Sequence, residues 1–231
     1  VPDNVSDDVA VLADPFSVCL HAVLRHPPAA DGPALVYGQG VLGLLTVAVL
    51  RRLHPQVEVY AVARHPHQAQ MAKSLGAHQV LVGRPEALIR HVAELTGAKP
   101  IQPQRGKPWL LDGVGVVYDT IGSAESVETG LRLVRTQGQV VIIGVGVPKR
   151  FEWTPLYFKE VQVVGSNAFG VETYRGQRRH AMDVYLELAE QGLDLSALIT
   201  HRFPLEEWRE AFRCCMQRGA SGAVKVVLAF G

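Results

Sequence analysis

Three glycines with the spacing of a phosphate-binding turn lie between an apolar strand-like run and an apolar helix-like run. They are Gly38, Gly40 and Gly43, in the segment ALVYGQGVLGLLTVAVLRR. In such a turn the first glycine permits a tight bend, the second lets the backbone approach a diphosphate, and the third lets the helix pack close to the sheet. The free N–H groups of the helix start, at Val41 and Leu42, favour phosphate. The pattern predicts a dinucleotide-binding turn, and a glycine turn of purely structural role is the alternative.

The next informative position lies about 20 residues past the last glycine, where a carboxylate would bind the adenosine ribose of NAD. Ala63 stands there, and Arg64 and His65 follow it. A site without this carboxylate does not repel a 2′-phosphate, and the Arg64 guanidinium can bind one. The sequence therefore favours NADP over NAD, unless Arg64 stacks on adenine or faces solvent. His65 and His67 could assist, or they are solvated residues at the start of a helix.

The elements that would position these residues alternate between short β-branched runs and longer amphipathic segments. This alternation predicts βαβ units over a parallel sheet, an α/β fold. The predicted strands are Ala34–Tyr37, Val57–Ala63, Gln79–Val82, Val114–Asp119, Gln139–Gly144 and Val161–Gly165. The predicted helices between them are Val41–Arg52, Pro66–Leu75, Pro85–Leu95 and Ala124–Leu133. The segment Gly97–Gly113 is rich in proline and glycine and is predicted to be an inserted surface loop.

The pattern changes near residue 170, where we expect a domain boundary. Beyond it we predict a charged helix at Tyr174–Gln191, a strand near Ile199–Phe203, a helix at Leu205–Arg218 and a final strand at Val224–Phe230. The expected domains are residues 1–170, a dinucleotide-binding domain with N-terminal linking helices, and residues 171–231. A basic cluster is predicted to be a solvated helix start rather than an anion site. Its members are Arg175, Arg178, Arg179 and His180.

Composition narrows the class of protein. The 231 residues are 48% hydrophobic and 19% charged, as in ordinary globular proteins, and the net charge of +1 gives no reason to expect nucleic acid or an anionic membrane as partner. No apolar run reaches the roughly 18 residues of a membrane span and no signal peptide is recognisable, so a cytoplasmic protein is expected. Cys19, Cys214 and Cys215 have neither disulfide-framework nor zinc-ribbon spacing and are predicted to be reduced core thiols.

From Pro2 to Phe230 the chain resembles the C-terminal part of the medium-chain, zinc-dependent alcohol dehydrogenases, the superfamily that includes sorbitol and threonine dehydrogenases. The matching stretches are VPDNVSDDVAVLADPFSVCLHAV, GQGVLGLLTVAV, AKSLGAHQVLV, VVYDTIGSAESVETGLRLVRTQGQVVIIGV, FKEVQVVGS and ITHRFPLEEWREAF. The resemblance implies a Rossmann fold, with a doubly wound six-stranded parallel sheet and a small C-terminal α/β remnant of the catalytic domain.

The resemblance also implies cofactor contacts along the carboxyl ends of the strands. The positions concerned are Thr120, Ile121, Ile143, Gly144, Val145, Ser166 and Asn167. Residues 143–145 would lie near the nicotinamide. Lys225 matches a basic position that reaches the pyrophosphate in relatives, although it could equally be an exposed strand lysine.

Asp14, followed by Pro15, matches a position that in the polyol and threonine dehydrogenases ligates the catalytic zinc or lies next to it. The structural alternative is a helix N-cap. The family's cysteine and histidine ligands and its proton-relay hydroxyl belong to an N-terminal half that this sequence does not contain. We therefore expect zinc only together with that half, assign no catalytic residue, and expect no alcohol oxidation by this chain alone, whether it is a fragment or a natural short protein.

The activity that the resemblance implies for the complete enzyme is hydride transfer between nicotinamide and a small alcohol or carbonyl substrate. The alternatives are a zinc-free quinone or enoyl reductase of the same superfamily, and a non-catalytic NADP(H)-binding module. A short-chain dehydrogenase is disfavoured because no tyrosine has a lysine four residues on. Relatives associate through an edge strand, so we expect a homodimer or tetramer with Val161–Gly165 at that edge.

Overall fold

The computed structural model describes residues 1–147 and 149–230. Its helices are α1 (Asp7–Ala10), α2 (Ala13–Arg25), α3 (Val41–Leu53), α4 (Pro66–Ser74), α5 (Pro85–Thr96), α6 (Ala124–Leu133), α7 (Thr154–Lys159), α8 (Ala181–Glu190), α9 (Trp208–Met216) and α10 (Arg218–Ser221). Its strands are β1 (Ala34–Tyr37), β2 (Val59–Val62), β3 (Gln79–Leu81), β4 (Pro100–Ile101), β5 (Trp109–Leu110), β6 (Val114–Asp119), β7 (Val134–Ile142), β8 (Gln162–Gly165), β9 (Val171–Tyr174), β10 (Gln177–His180), β11 (Ile199–Pro204) and β12 (Lys225–Ala229).

The chain divides into two compact units. One is Val18–Phe169, and the other combines Val1–Ser17 with Gly170–Gly231. The domain expected over residues 1–170 thus differs in its first residues, which group with the C-terminal segment. The Tyr185 hydroxyl donates a 2.7 Å hydrogen bond to the Val9 carbonyl, and its ring centroid lies 4.6 Å from that of Phe16.

The unit Val18–Phe169 is built on six parallel strands in the order β3-β2-β1-β6-β7-β8. The chain winds outward from β1 in one direction and from β6 in the other, which is the doubly wound Rossmann arrangement. Every residue of β1 and β2 is buried, as expected for strands covered on both faces. The predicted fold class is confirmed, and β8 lies at the edge of the sheet as predicted.

Strand β7 begins at Val134 rather than at the predicted Gln139. Helix α6 ends at Leu133 and leads directly into β7, so no loop separates them. The pairing with β6 shifts register in this first part of the strand, and Gln137 has a positive φ of 57°. The first part of β7 is mostly polar, so the hydrophobic pattern did not predict it as strand.

The segment Gly97–Gly113 is more ordered than a surface loop. It contains the antiparallel pair β4–β5, and Trp109 and Leu110 are buried. The Lys159 ammonium donates a 3.0 Å hydrogen bond to the Leu110 carbonyl and a second one to the Val134 carbonyl. The Arg132 guanidinium donates to the Lys107 carbonyl. The two buried cations Lys159 and Arg132 thus hold the end of this segment against α6, β7 and α7.

The first part of the predicted helix Tyr174–Gln191 is instead the antiparallel hairpin β9–β10, and α8 begins only at Ala181. Arg175 and Gly176 both have positive φ, which two-residue hairpin turns of type I′ require. Of the basic cluster, Arg175, Arg178 and Arg179 therefore belong to the hairpin, while His180 stands at a helix start as the N-cap residue of α8. Arg179 and Arg175 both pair with Glu187 of α8.

The cysteines are all free thiols, but only one belongs to the core. Cys19 is fully buried, and burial raises the pKa of its thiol to about 12. Cys214 and Cys215, on α9, are half-buried. The prediction of core thiols is therefore correct for Cys19 alone.

Candidate functional site

The glycine turn connects β1 to α3 at the switch point of the sheet, where β1 and β6 are neighbours. Gly38 has a φ of +93°, and a Cβ added to it would lie 2.6 Å from Cγ1 of Ile121. A Cβ on Gly43 would lie 1.8 Å from the Gly38 carbonyl oxygen. Neither position has room for a side chain, so the start of α3 is held against the end of β1.

The amino end of α3 faces out of this turn with its first-turn amides unused by a cap. Gly40 is the N-cap residue and supplies no side-chain hydrogen bond. The amides of Val41, Leu42 and Gly43 occupy the first turn, where an α-helix leaves its N–H groups without intrahelical partners. These amides and the helix dipole favour an anion at this position.

A second turn, after β6, is built around the carboxylate of Asp119. Its Oδ1 accepts hydrogen bonds from the amides of Ile121 (2.9 Å) and Gly122 (3.0 Å). Its Oδ2 accepts a 2.7 Å hydrogen bond from the Ser126 hydroxyl. Burial raises the pKa of Asp119, while these three hydrogen bonds act in the opposite direction. Within the turn, the Thr120 hydroxyl lies 3.0 Å from the carbonyls of both Tyr37 and Gly38.

The turn after β7 packs against the turn after β6 backbone to backbone. A Cβ on Gly122 would lie 2.0 Å from the Gly144 carbonyl oxygen, and one on Gly144 would lie 2.4 Å from the Thr120 carbonyl. The amides of Ile143 and Gly144 both donate to the Asp119 carbonyl, at 2.8 and 3.0 Å. On this edge Val145 is 97% exposed and Ile121 is 43% exposed. The carboxyl edge of the sheet thus presents apolar side chains on a rigid backbone.

Two buried polar atoms on this edge have no partner among the described residues. One is Oε1 of Gln39, whose Nε2 donates to the Val36 carbonyl at 3.0 Å. The other is the hydroxyl of Ser166, which follows the edge strand β8. Orphaned buried polar atoms are uncommon and call for a partner such as water or a ligand. These two atoms fit a site for a polar ligand such as a dinucleotide.

The end of β2 presents the residues expected to discriminate between NADP and NAD. Ala63 is buried, and its amide donates to the Leu81 carbonyl at 2.9 Å. Arg64 is exposed, and its side chain makes no ion pair or hydrogen bond with a described residue. The rings of His65 and His67 stack with centroids 5.6 Å apart. Burial, followed by the charge of His65, lowers the pKa of His67.

Three predicted residues belong to segments other than these turns. Asn167 is exposed beyond β8. Lys225 is half-buried at the start of β12, which pairs with β11 in the other unit. Asp14 is exposed in the first turn of α2, which begins at Ala13, so it is not the N-cap residue of that helix. Their binding roles remain predictions.

Zinc was the other expected cofactor. Among residues 1–147 and 149–230, no group of three or more His, Cys, Asp or Glu side chains could hold a metal ion. The described residues therefore do not form a zinc site by themselves, and Asp14 as a ligand stays a prediction that requires donors from elsewhere.

The sequence analysis did not single out the residues that hold the turns together. Asp119 and Gly122 lie within the matched stretch VVYDTIG, where an acid as the last residue of a buried strand was an available signal. Gln39 lies between two of the glycines and gave no signal, because its importance comes from its burial.

Comparisons with known proteins agree with this geometry. The fold and the glycine turn together define a Rossmann-type α/β protein. Residues 41–184 match the family model described as zinc-binding dehydrogenase, and the chain belongs to that family.

Relatives and solved structures extend the match over nearly the whole chain. D-arabitol-phosphate dehydrogenase of Enterococcus avium is 27% identical over 94% of this chain and 57% of its own length. L-threonine 3-dehydrogenase of Anaeromyxobacter sp. (strain K) is 26% identical over 100% of this chain and 60% of its own length. The chain thus spans about 60% of the length of the curated relatives it matches.

Two of the similar structures contain a nicotinamide cofactor. A zinc-binding dehydrogenase from Sinorhizobium meliloti 1021 bound to NADP is 27% identical and superposes with a TM-score of 0.71, covering 99% of this chain and 61% of its own. An E. coli CFT073 protein described as a short chain alcohol dehydrogenase, complexed with NADH, is 22% identical with a TM-score of 0.79 and covers 100% of this chain and 61% of its own. The second likeness is one of fold.

None of the helices described is long and apolar enough to cross a membrane.

Proposed function

We propose that this chain binds a nicotinamide dinucleotide along the carboxyl edge of its six-stranded sheet, as the cofactor-binding part of a dehydrogenase acting on a small alcohol or carbonyl substrate. The observation that carries the proposal is the close packing of Gly43 on the Gly38 carbonyl, which holds the start of α3 at the switch point. Ligands of doubly wound sheets bind in the crevice at that point.

In this proposal each turn binds a different part of the dinucleotide. The amides of Val41 to Gly43 hold the pyrophosphate, and the turns after β6 and β7 form a shelf under the nicotinamide. The exposed Ile121 and Val145 exclude water from one side of that shelf. The bound nicotinamide supplies the hydride acceptor or donor, and the residues of this chain orient it.

We further propose that the preferred dinucleotide is NADP. The exposed Arg64 directly follows Ala63, which stands where NAD-specific proteins place a carboxylate, and no described acid neutralises Arg64. A guanidinium at this position forms charge-assisted hydrogen bonds with the 2′-phosphate. The stacked His65 and His67 follow Arg64 in the chain and offer further ring N–H donors near it.

Calorimetric titration of this chain tests both statements. We expect NADPH to bind at least about tenfold more tightly than NADH, because hydrogen bonds to a charged group contribute about 1.5–3 kcal/mol. Arg64→Ala should remove the preference and leave NADH affinity unchanged. Arg90→Ala, which removes an exposed arginine of α5, is the matched control and should retain the preference. Equal affinities in the wild-type chain refute the NADP preference, and no binding of either dinucleotide refutes the cofactor function.

We also propose that two copies associate through β8. This strand is at the edge of the sheet, so one row of its backbone N–H and C=O groups is left unpaired by the described strands. Tyr157 and Phe158 of the preceding helix α7, and Val163 of β8 itself, are exposed. An edge flanked by exposed apolar side chains favours association with a second sheet.

A further inference from the structure

The carboxylate of Asp119 is a buried anion that no role proposed so far requires. It is fully buried and forms no ion pair within the described part of the chain. Burying a carboxylate without a cation is unfavourable unless hydrogen bonds replace its water. Three donors do so, the amides of Ile121 and Gly122 and the hydroxyl of Ser126.

The same residue joins two strand ends that are distant in the chain. Through its side chain it fixes the turn that follows β6. Through its carbonyl it accepts the amides of Ile143 and Gly144, which follow β7. Its neighbour Thr120 contacts the carbonyls at the end of β1. Three turns of the carboxyl edge therefore take their relative positions from residues 119 and 120.

We propose that Asp119 is a positioning residue that holds the turns after β6 and β7 in the arrangement needed by the nicotinamide half of the dinucleotide. This inference rests on the proposed cofactor function. Asp119 accepts no hydrogen bond from the amides at the start of α3 and has no described contact with Arg64, which would hold the phosphates at the adenosine end. The direct hydrogen bonds of Asp119 therefore reach the turns after β6 and β7, and we expect its replacement to act mainly on the nicotinamide half of the ligand.

The closeness of the two turns explains why a small change at Asp119 matters. Gly122 and Gly144 pack with no room for a Cβ, so a rotation of either turn cannot be absorbed without separating them. An asparagine at position 119 keeps the shape of the side chain but turns one acceptor oxygen into a donor. If that N–H faces the amides of Ile121 and Gly122 it meets donors, and if it faces Ser126 the hydroxyl loses residue 119 as its acceptor and can donate only to the Ser123 carbonyl.

The test compares Asp119→Asn with wild type in binding two ligands. One is the dinucleotide, NADPH or NADH, that the wild-type chain binds more tightly. The other is the same molecule without its nicotinamide riboside, which is 2′-phospho-ADP for NADPH and ADP for NADH, called ADP below. We expect the variant to bind the dinucleotide at least about tenfold more weakly and to keep ADP affinity within about threefold. Nicotinamide fluorescence should change less on binding to the variant than on binding to wild type.

Two further variants keep the test decisive. Ser126→Ala removes one of the three donors, should fold if Asp119→Asn does not, and should weaken dinucleotide binding about threefold without affecting ADP. Val116→Ala makes a cavity in the middle of β6, away from the turn, and should lower the melting temperature without separating the two affinities.

Each remaining outcome overturns a definite statement. Equal weakening of dinucleotide and ADP in folded Asp119→Asn means that the residue is merely structural, and unchanged binding means that it positions nothing. Failure of the wild-type chain to bind either ligand overturns the cofactor function on which the inference rests.

Discussion

Single atoms decide how closely the backbone turns of the site approach one another. A Cβ on Gly43 would lie 1.8 Å from the Gly38 carbonyl oxygen, and a Cβ on Gly122 would lie 2.0 Å from the Gly144 carbonyl oxygen. The first contact was predictable because the spacing of the glycines encodes it. The second was not, because it joins strand ends whose closeness depends on the order of β6 and β7 in the folded sheet.

Replacement of Gly43 tests the first contact. Gly43→Ala should push α3 away from β1, lower the unfolding free energy by about 1–3 kcal/mol as overpacking does, and weaken dinucleotide binding at least about tenfold. Thermal unfolding and calorimetric titration measure the two effects. Gly170→Ala, at a glycine whose Cβ would meet nothing within 4 Å, should change neither. Wild-type binding by Gly43→Ala would show that the close packing is dispensable.

At the scale of elements, the sequence predicted correctly those helices and strands whose residues show a clear local periodicity. β1, β6 and α6 have the predicted bounds because each coincides with one apolar run or one amphipathic turn sequence. The turn and the second strand of the hairpin β9–β10 lie within the segment Tyr174–Gln191 that the sequence predicts as a charged helix. Its actual structure depends on Arg175 adopting a positive φ, which residue type alone does not indicate. The hydrogen bonds that hold β5 in place could not be predicted, because Lys159 and Arg132 are of residue types that are normally exposed.

The lysine that anchors β5 predicts a pH dependence of stability. Burial, and next the charge of Arg132, lower the pKa of Lys159 from 10.5 to about 7. Below pH 7 both folded and unfolded chains carry the proton, so the cost of burying the charge is fully present. Between about pH 7 and 10.5 the folded chain loses the proton first, and its free energy of unfolding rises with pH by at most about 1.4 kcal/mol per unit.

Urea unfolding from pH 6 to pH 10 of wild type and Lys159→Met measures this contribution. The variant loses two hydrogen bonds and should be less stable throughout, but its stability should lack the rise above pH 7 that Lys159 contributes. Lys99→Met replaces an exposed lysine of the segment Gly97–Gly113, and its stability should follow the wild-type dependence on pH. Parallel curves for wild type and Lys159→Met would mean that Lys159 stays protonated in the folded chain.

At the scale of the whole molecule, the chain combines a contiguous sheet unit with a unit made from its two ends. The sequence indicated a change of pattern near residue 170, since the apolar strands of the sheet end there. It did not indicate that residues 1–17 belong with the C-terminal segment, because the contacts of Tyr185 with Val9 and Phe16 leave no local pattern.

The proposed association through β8 is tested by sedimentation velocity at micromolar concentrations. The wild-type chain should sediment as a dimer or tetramer, and Val163→Lys should weaken that association at least about tenfold, because a charge on an edge strand opposes sheet-to-sheet pairing. Val82→Lys places the same charge beside the opposite edge strand, β3, and should leave the oligomer intact. A monomeric wild-type chain, or an oligomer disrupted only by Val82→Lys, would rule out β8 as the interface.

The hydrogen bond from Tyr185 to Val9 spans 176 positions of sequence. During synthesis the stretch Val18–Phe169 emerges without interruption, so its sheet can form while the ribosome is still adding later residues. Residues 1–17 follow a different order, because Val9 and Phe16 can contact Tyr185 only after α8 has been translated, so these contacts form later than the sheet can.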